Sequence, residues 1–156
     1  MVRAAFGLDM AHKIEELPIY SKVVEFWAAV NALLERPRLR NDGDLYDQIS
    51  RANESIPSNM VEGFEQGTDR AFANYLTYSK ASLAEVLKRL KRAYFKKHIT
   101  ADELEASLVA GEELGKMLGG FIKYLRRCDW KDRAPMTQVH RTRPHQLSQG
   151  RFEISG

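Results

Sequence analysis

One segment of the chain repeats apolar or small side chains at alternating steps of four and three residues through five intervals. The repeat runs through Phe72, Leu76, Ser79, Leu83, Val86 and Leu90. Because an α-helix completes a turn in 3.6 residues, this spacing places all members on one face, as in helices that pack along a coiled-coil-like seam. A single helix cannot bury such a face alone, so the segment predicts helix-on-helix packing.

Three further segments carry related periodicity, and no segment has the alternation of a strand. The first contains Ile19, Val23, Trp27, Val30 and Leu34. The second contains Leu45, Ile49, Ala52, Ile56, Asn59 and Gly63. The last contains Leu104, Leu108, Gly111, Gly115, Leu118, Ile122 and Leu125. Four helices joined by short loops predict an all-α, antiparallel up-down-up-down four-helix bundle.

Residues between the segments carry the signals that begin and end helices. The run ERPRLRNDGD, residues 35–44, breaks the pattern after the first helix and predicts a turn. The second helix is expected to end near Gly67, with Thr68 or Asp69 as the cap of the third. Thr100, with a glutamate three residues later, predicts a capping box at the start of the fourth helix.

The length of 156 residues and a hydrophobic content of 44% are enough for one core, and predict a single bundle domain over residues 17–130. Residues 131–156 mix Pro, Gln, Ser and Thr without periodicity, and hold five basic and two acidic side chains. This excess equals the net charge of +3 of the whole chain. We therefore expect a basic, disordered C-terminal tail, preceded by residues 1–130 whose basic and acidic side chains balance.

The sequence lacks the motifs that several classes of metal site and enzyme require. Cys128 is the single cysteine, and no Cys or His pair has zinc-ligand spacing. No Glu-x-x-His motif for a di-iron site, nucleophile arrangement or Gly-rich phosphate loop is present. Neither a signal peptide nor an apolar run long enough for a bilayer is found. We expect a cytoplasmic protein that is not an enzyme and has no cofactor, metal or membrane partner.

The predicted topology brings many cations to one end of the bundle. The turn after the first helix, the end of the third and the start of the fourth should meet there. Their basic side chains are Arg36, Arg38, Arg40, Lys88, Arg89, Lys91, Arg92, Lys96 and Lys97. One interpretation is that these cations complement a helix C-terminus and are partly offset by the nearby acids Asp42, Asp44, Asp102 and Glu103. The other is that they bind nucleic-acid phosphates, with Tyr94 and Phe95 interleaved for stacking.

The stretch RANESIPSNMVEGFEQG, residues 51–67, interrupts the second helix with features that packing alone does not require. Pro57 removes a backbone donor and should kink the helix or change its winding. Asn59 and Gly63 follow on the inward seam, and Glu62 lies near the same face. Polar partners on the third helix are available at Ser79 and Ser82. A buried polar cluster or a subunit contact is the expected role of this stretch.

Together these residues resemble a known family. The runs SIPSNMVEGF and KASLAE are similar to motifs of the four-helix bundle family named for proteins encoded in intervening sequences of bacterial 23S ribosomal RNA genes. The family pattern Ile-Pro-x-Asn-x-x-Glu-Gly-Phe falls on residues 56–64. In the second motif Ala81 replaces the usual glycine. The resemblance covers about residues 17–127 and implies an antiparallel bundle that assembles into a ring-like homopentamer.

The same fold family includes the accessory proteins of diversity-generating retroelements, which bind a reverse transcriptase and nucleic acid through a basic surface. For this chain the resemblance leaves two hypotheses open. In the first hypothesis, the chain is a homo-oligomer that associates with RNA or DNA, either alone or as an accessory factor to a reverse transcriptase. Alternatively, it is a structural or protein-interaction oligomer without a nucleic-acid role. Fold likeness does not choose between them.

Overall fold

The computed structural model describes residues 6–7 and 11–127. A 3₁₀ turn at Ile14–Glu16 precedes five α-helices, and the described residues contain no strand. The helices are α1 Pro18–Leu34, α2 Pro37–Arg40, α3 Gly43–Glu65, α4 Asp69–Phe95 and α5 Ala101–Arg127. The prediction of an all-α chain with four long helices is confirmed.

The four long helices form an antiparallel bundle in which each helix contacts two neighbours. α3 packs most extensively on α4, α4 packs on α5, and α1 closes the arrangement by contacting both α3 and α5. Short connections between consecutive helices favour this up-down-up-down order. The predicted turn between the first two long helices contains the short helix α2, which is anchored by the fully buried Leu39.

The seam of α4 agrees with its sequence pattern throughout. All six predicted positions are buried, and Phe72, Leu76 and Val86 have no exposed surface. Burying one such side chain contributes about 1.5 to 3 kcal/mol relative to leaving it exposed. This helix therefore forms the central wall of the core, between α3 and α5.

The predicted helix ends are also confirmed. Thr68 is the N-cap of α4, and its Oγ1 accepts a hydrogen bond from the Ala71 N–H at 3.2 Å. Gly67 follows α3 with a φ of 74°, a conformation that glycine adopts without a Cβ clash. At the start of α5, the Glu103 N–H donates to Thr100 Oγ1 at 3.1 Å and the Thr100 N–H donates to the Glu103 carboxylate at 2.9 Å.

The buried face of α1 differs from the predicted one at a single position. Phe26 is buried, whereas Trp27 is half-buried on the flank. The Trp27 Nε1–H donates to Glu54 Oε1 at 2.9 Å. A buried indole needs an acceptor for its N–H, so the flank suits tryptophan and the centre of the seam suits phenylalanine.

The buried face of α3 is displaced by one residue at two places. Asn53 and Met60 have no exposed surface, while Ala52 and Asn59, the predicted seam residues, are half-buried. The inward position assigned to Asn59 is therefore wrong. At each place, two adjacent residues lie three or four positions from Ile56, so both fit the helical spacing. Packing against α1 and α4 determines which residue of each pair is buried.

In α5 the predicted seam holds best in its C-terminal half. Leu118, Ile122 and Leu125 are buried as predicted, with Leu114 and Phe121 added. The predicted seam residues Leu104, Leu108 and Gly115 are only half-buried. A straight helix of 3.6 residues per turn drifts away from a strict seven-residue repeat, and over 27 residues the inward face changes.

Pro57 lies inside α3, which is α-helical on both sides of it. Of the two predicted effects, the change of winding is wrong, and the kink stays a prediction. Proline leaves the carbonyl four residues earlier without its helical donor. Side chains supply extra donors to the next two carbonyls, because Ser58 Oγ donates to the Glu54 carbonyl at 2.8 Å and Asn59 Nδ2 donates to the Ser55 carbonyl at 2.8 Å.

Aromatic side chains fill the end of the core where α3 meets α4. The Phe72 ring meets Phe64 and Phe121 edge-on, with centroids 5.8 and 5.4 Å apart. Phe6, which precedes the predicted domain start at residue 17, stacks on Phe121 at 4.9 Å. Part of the N-terminal segment thus packs on the bundle.

The other boundary expectations concern residues outside the described range. Residues 128–130 of the predicted domain, Cys128 among them, and the predicted tail 131–156 are not described. Among the helices that are described, none combines the length and apolar character needed to cross a bilayer.

Candidate functional site

The predicted meeting of cations occurs at one end of the bundle. Arg36, between α1 and α2, pairs with Glu103 in the first turn of α5. Arg38 of α2 donates from Nη1 to the carbonyl oxygen of Lys97, just beyond α4, at 3.3 Å. We call the surface formed here by the nine predicted cations the basic pole.

Asp42 joins three elements beneath the basic pole. As the N-cap of α3, it accepts a hydrogen bond from the Leu45 N–H at 3.4 Å. Its carboxylate also pairs with Lys96 at the end of α4 and lies 2.8 Å from His98 Nε2. The hydrogen bond from Lys96, followed by that from His98, lowers the pKa of Asp42 from 3.8 to about 2. The carboxylate is therefore ionised under ordinary conditions and balances part of the local positive charge.

Four of the nine cations are engaged in ion pairs within the chain. Besides Arg36 and Lys96, Arg40 pairs with Glu35 at 3.1 Å and Arg89 pairs with Glu85 at 2.6 Å. Glu103 has a lowered pKa, first because the Thr100 N–H donates to it and also because Arg36 is adjacent. The Arg36 and Lys96 pairs connect segments that are distant in the chain, whereas the Arg89 pair lies within α4.

The other cations lack such partners. Within the described part of the chain, no ion pair involves Arg38, Lys88, Lys91, Arg92 or Lys97. Lys88, Lys91, Arg92 and Lys97 are exposed on α4 and its C-terminal turn. We call these four residues the open cations. They present positive charge to solvent, and no acid within residues 6–7 and 11–127 forms an ion pair with them.

Lys97 holds a backbone conformation that favours glycine. Its φ is 61°, and it follows α4 in a turn closed by the His98 N–H donating to the Ala93 carbonyl at 2.9 Å. This six-to-one bond is the Schellman arrangement, whose left-handed position usually holds glycine. The sequence did not predict this left-handed turn, because position 97 does not hold the glycine that usually marks one. The result is a lysine held in a fixed turn beside Arg38.

The polar cluster expected near Pro57 exists, but its composition differs. Asn59 Nδ2 donates to Ser55 Oγ at 2.8 Å, and Ser82 Oγ donates to the same oxygen at 2.9 Å. Ser79 is separate and fully buried, with its Oγ donating to the Ile56 carbonyl at 2.8 Å. The cluster therefore ties α3 to α4 through Ser55, which the sequence reasoning missed although it lies one turn before Asn59.

A second polar residue of α3, Asn53, is directed towards α1. It is fully buried, and its Nδ2 donates to the Trp27 carbonyl and to Asn31 Oδ1, both at 3.0 Å. Its Oδ1 is buried and has no hydrogen-bond partner among the described residues. Asn53 was not predicted, although it lies four residues after Ile49 and three before Ile56 and so fits the seam spacing.

Glu62 and Gly63 have separate roles at the end of α3. Glu62 is exposed and accepts a hydrogen bond from Gln66 Nε2 at 2.7 Å, so it does not join the polar cluster. Gly63 is buried where α3 crosses α4, and a Cβ there would lie 2.5 Å from the Tyr75 Cβ. The absence of a side chain at Gly63 therefore permits close helix approach.

The described residues offer little for metal chemistry. They contain no group of three or more His, Cys, Asp and Glu side chains that could hold a metal ion. The groove at the basic pole is lined by Arg36, Arg38, Lys97, His98 and Thr100, among others. It is open, and its chemistry suits contact with an anion rather than enclosure of a small molecule.

Comparisons with known proteins agree with this architecture. The profile of the 23S rRNA-intervening sequence proteins matches residues 15–120. A crystal structure from Bacteroides thetaiotaomicron, described as a protein of unknown function from the S23 ribosomal protein family, superposes with a TM-score of 0.61. Its sequence is 24% identical, and the match covers 67% of this chain and 98% of that one. At this identity the likeness supports the fold alone.

No curated protein sequence matches the chain. The family profile nevertheless spans more than half of the chain, from the 3₁₀ turn into the second half of α5. It includes the interrupted stretch of α3 and the whole basic pole. The chain belongs to the 23S rRNA-intervening sequence protein family.

Proposed function

We propose that this chain is a non-enzymatic, homo-oligomeric bundle protein that associates with nucleic acid through the basic pole. Cations that face solvent bind the phosphate backbone by releasing counterions, and such binding does not require base reading. The proposal concerns RNA and DNA alike, since both carry the same backbone charge. The pentameric state is part of the proposal and rests on the family resemblance.

The observation that carries this proposal is the set of open cations. Residues 86–101 contain six Lys and Arg side chains and no Asp or Glu. Arg89 and Lys96 are used in ion pairs, and Lys88, Lys91, Arg92 and Lys97 remain without one in the described part of the chain. The benefit of a cation at a helix C-terminus falls off within the last turn, and Lys88 and Lys91 lie before the last turn of α4.

The test is RNA binding by a variant in which the open cations are neutral. We choose Lys88→Gln, Lys91→Gln, Arg92→Gln and Lys97→Gln together, and we leave Arg89 and Lys96 unchanged so that their ion pairs persist. We expect the wild-type protein to retain a mixed-sequence RNA at low salt and to release it as salt is raised. The quadruple variant should lose this retention, because roughly four phosphate contacts are removed per protomer.

A matched control removes four other exposed basic residues, two from α4 and two from α5. The changes are Arg70→Gln, Lys80→Gln, Lys116→Gln and Lys123→Gln. Because the net charge changes equally, a general charge effect would weaken both variants alike. Equal weakening, or full retention by the open-cation variant, would contradict binding at the basic pole.

The family resemblance adds a protein partner to this proposal. A reverse transcriptase is the partner class, and the chain would act as its accessory factor on nucleic acid. The described residues carry no separate feature for this partner, so it is tested directly. Co-purification of the wild-type chain with a reverse transcriptase from the same organism would support the role. Failure to co-purify would overturn this partner and leave nucleic-acid association alone.

A structural or protein-interaction oligomer is the second candidate function. It is favoured by Val109 on α5, a large apolar side chain outside the basic pole that is 61% exposed. In that case Asn59→Leu or Glu62→Ala should change assembly or melting temperature while leaving any nucleic-acid affinity per subunit unchanged. Light scattering with and without RNA separates the two candidates.

A further inference from the structure

Phe95 is unusual among the large apolar side chains of the described residues. It is 82% exposed, more than any other, although it is the last residue of a helix whose opposite face is fully buried. Neighbouring Tyr94 is 39% exposed, and the two ring centroids lie 6.1 Å apart at an angle of 54°. No stacked partner faces the Phe95 ring among residues 6–7 and 11–127, so its face is available to an external group.

The surroundings of Phe95 are positively charged. Lys91 and Arg92 precede it by four and three residues, and therefore lie one helical turn away on the same face of α4. Both are open cations, and Lys97 follows two residues later. Two acids of the pole already have basic partners, because Asp42 pairs with Lys96 and His98 and Glu103 pairs with Arg36. An exposed aromatic ring is thus combined with several unneutralised cations within about two turns of helix.

This combination favours one kind of occupant. A protein helix or a bilayer would require a continuous apolar stripe, but the exposed face of α4 before Phe95 carries Lys88, Lys91 and Arg92. Single-stranded nucleic acid instead presents π-faces and phosphates in alternation, so it can use one ring and adjacent cations together. A duplex keeps its bases stacked inside and cannot use the ring.

We propose that Phe95 is a stacking platform for a base of single-stranded nucleic acid, with the flanking phosphates bound by Lys91 and Arg92. This inference rests on the proposed function and adds a preference for single strands. Since every base has a π-face, the platform should be tolerant of sequence. The Phe95 ring contacts a base directly, and the open cations supply most of the affinity for the strand.

The experiment compares Phe95→Ala with the wild-type full chain on two labelled probes of the same sequence, a short single-stranded RNA and its duplex. Binding is measured by fluorescence anisotropy at one fixed salt concentration. Loss of one stacked base weakens binding about 5- to 150-fold, so Phe95→Ala should show a weakening in this range on the single strand. Its affinity for the duplex should stay within about twofold, since phosphate contacts are unchanged.

Two further substitutions separate stacking from a simple apolar contact. Phe95→Trp keeps a π-face and should retain single-strand affinity, while Phe95→Leu keeps an apolar side chain and should lose it. Tyr78→Ala is the matched control, because Tyr78 is an exposed aromatic residue of the same helix, 17 positions away, or about 25 Å along the axis. It should bind both probes as the wild type does.

The outcomes distinguish this inference from the proposed function. If the wild-type protein binds neither probe, nucleic-acid association itself is overturned, and the stacking platform with it. Unchanged single-strand binding by Phe95→Ala overturns the platform and leaves the proposed function standing. Wild-type binding by Phe95→Leu, or an equal loss on the duplex, also overturns it, since neither is expected for a stacked base.

Discussion

Glycine residues at two positions of the bundle show how much a single Cβ matters. At Gly63 an added Cβ would lie 2.5 Å from the Tyr75 Cβ and 3.1 Å from a ring carbon of Phe72. At Gly120 nothing lies within 4 Å of the added atom. Both glycines are inside long helices, where glycine is less favourable than alanine. Local packing therefore decides whether the same substitution, glycine to alanine, raises or lowers the free energy of unfolding.

We expect Gly63→Ala to lower the free energy of unfolding by about 1 to 3 kcal/mol, because α3 and α4 must move apart to admit the methyl group. Gly120→Ala should raise it by about 1 kcal/mol through helix propensity. Urea unfolding followed by circular dichroism measures both. A Gly63→Ala variant as stable as the wild type would show that the helices can shift without loss.

A second prediction at residue scale concerns the left-handed turn after α4. Lys97 has a φ of 61° without being glycine, which strains the backbone by roughly 1 to 2 kcal/mol. We expect Lys97→Gly to raise the free energy of unfolding by about 1 kcal/mol, since the greater freedom of glycine in the unfolded chain offsets part of the relief. The measurement is again denaturant unfolding.

The control for this prediction is Lys91→Gly, which changes an exposed lysine in the interior of α4. There the backbone is helical, so glycine should lower the free energy of unfolding by about 1 kcal/mol. If both substitutions changed the free energy of unfolding in the same direction, a stabilisation by Lys97→Gly could not be attributed to the backbone conformation at position 97.

At the scale of elements, Asp42 connects the start of α3 with the end of α4. Its pKa is lowered from 3.8 to about 2, first by the hydrogen bond from Lys96 and then by that from His98. A carboxyl whose pKa is lower in the folded state stabilises the fold above its unfolded pKa. This stabilisation is lost as the pH falls through the folded value. The window therefore extends from about pH 4 down to about pH 2.

We expect Asp42→Asn to melt below the wild type at neutral pH, and the difference in Tm to shrink as the pH falls to about 2. Asparagine is also a good N-cap, so the substitution removes the charge and keeps the cap. Thermal melting followed by circular dichroism at several pH values measures the difference. Glu35→Gln, in an exposed pair with Arg40, should change Tm little. A difference for Asp42→Asn that does not vary with pH would contradict the ionic role.

At the scale of the whole molecule, the relevant property is how the basic pole responds to salt. Binding to single-stranded nucleic acid weakens linearly on a log–log plot against salt, with a slope of about −0.7 per neutralised phosphate. Removing the four open cations should reduce the slope by about 3 for each protomer in contact with the strand. Light scattering gives the number of protomers in the assembly. Dividing the difference in slope between wild type and variant by this number gives the change per protomer.

The slope separates phosphate contacts from effects on folding. A variant that unfolds would lose binding at every salt concentration, whereas loss of ionic contacts weakens binding most at low salt. Neutralising Arg70, Lys80, Lys116 and Lys123 should leave the slope unchanged. An equal change of slope in this control would mean that the bound strand crosses the side of α4 and α5 instead of the basic pole.

Local sequence determined most of the architecture. The four-three repeat of α4, the Thr68 cap and the capping box at Thr100 each depend on residues within one or two helical turns, so their physics can be read directly from neighbours in the chain. Four long helices with short connections then leave few topologies besides the antiparallel bundle. The meeting of the cations at one end followed from that topology alone.

The tertiary structure alone decided how the polar residues are used. The predicted topology placed Asp42 and Glu103 near the cations, but it did not show which acid pairs with which cation. Lys96 and Asp42 are 54 positions apart, and Arg36 and Glu103 are 67 apart, so only the packed structure reveals these two pairs. Where two adjacent residues both fit the helical repeat, as Ala52 and Asn53 do, contacts from other helices select the buried one. Distance in the chain carries no information about such contacts, because they arise only when separate helices pack together.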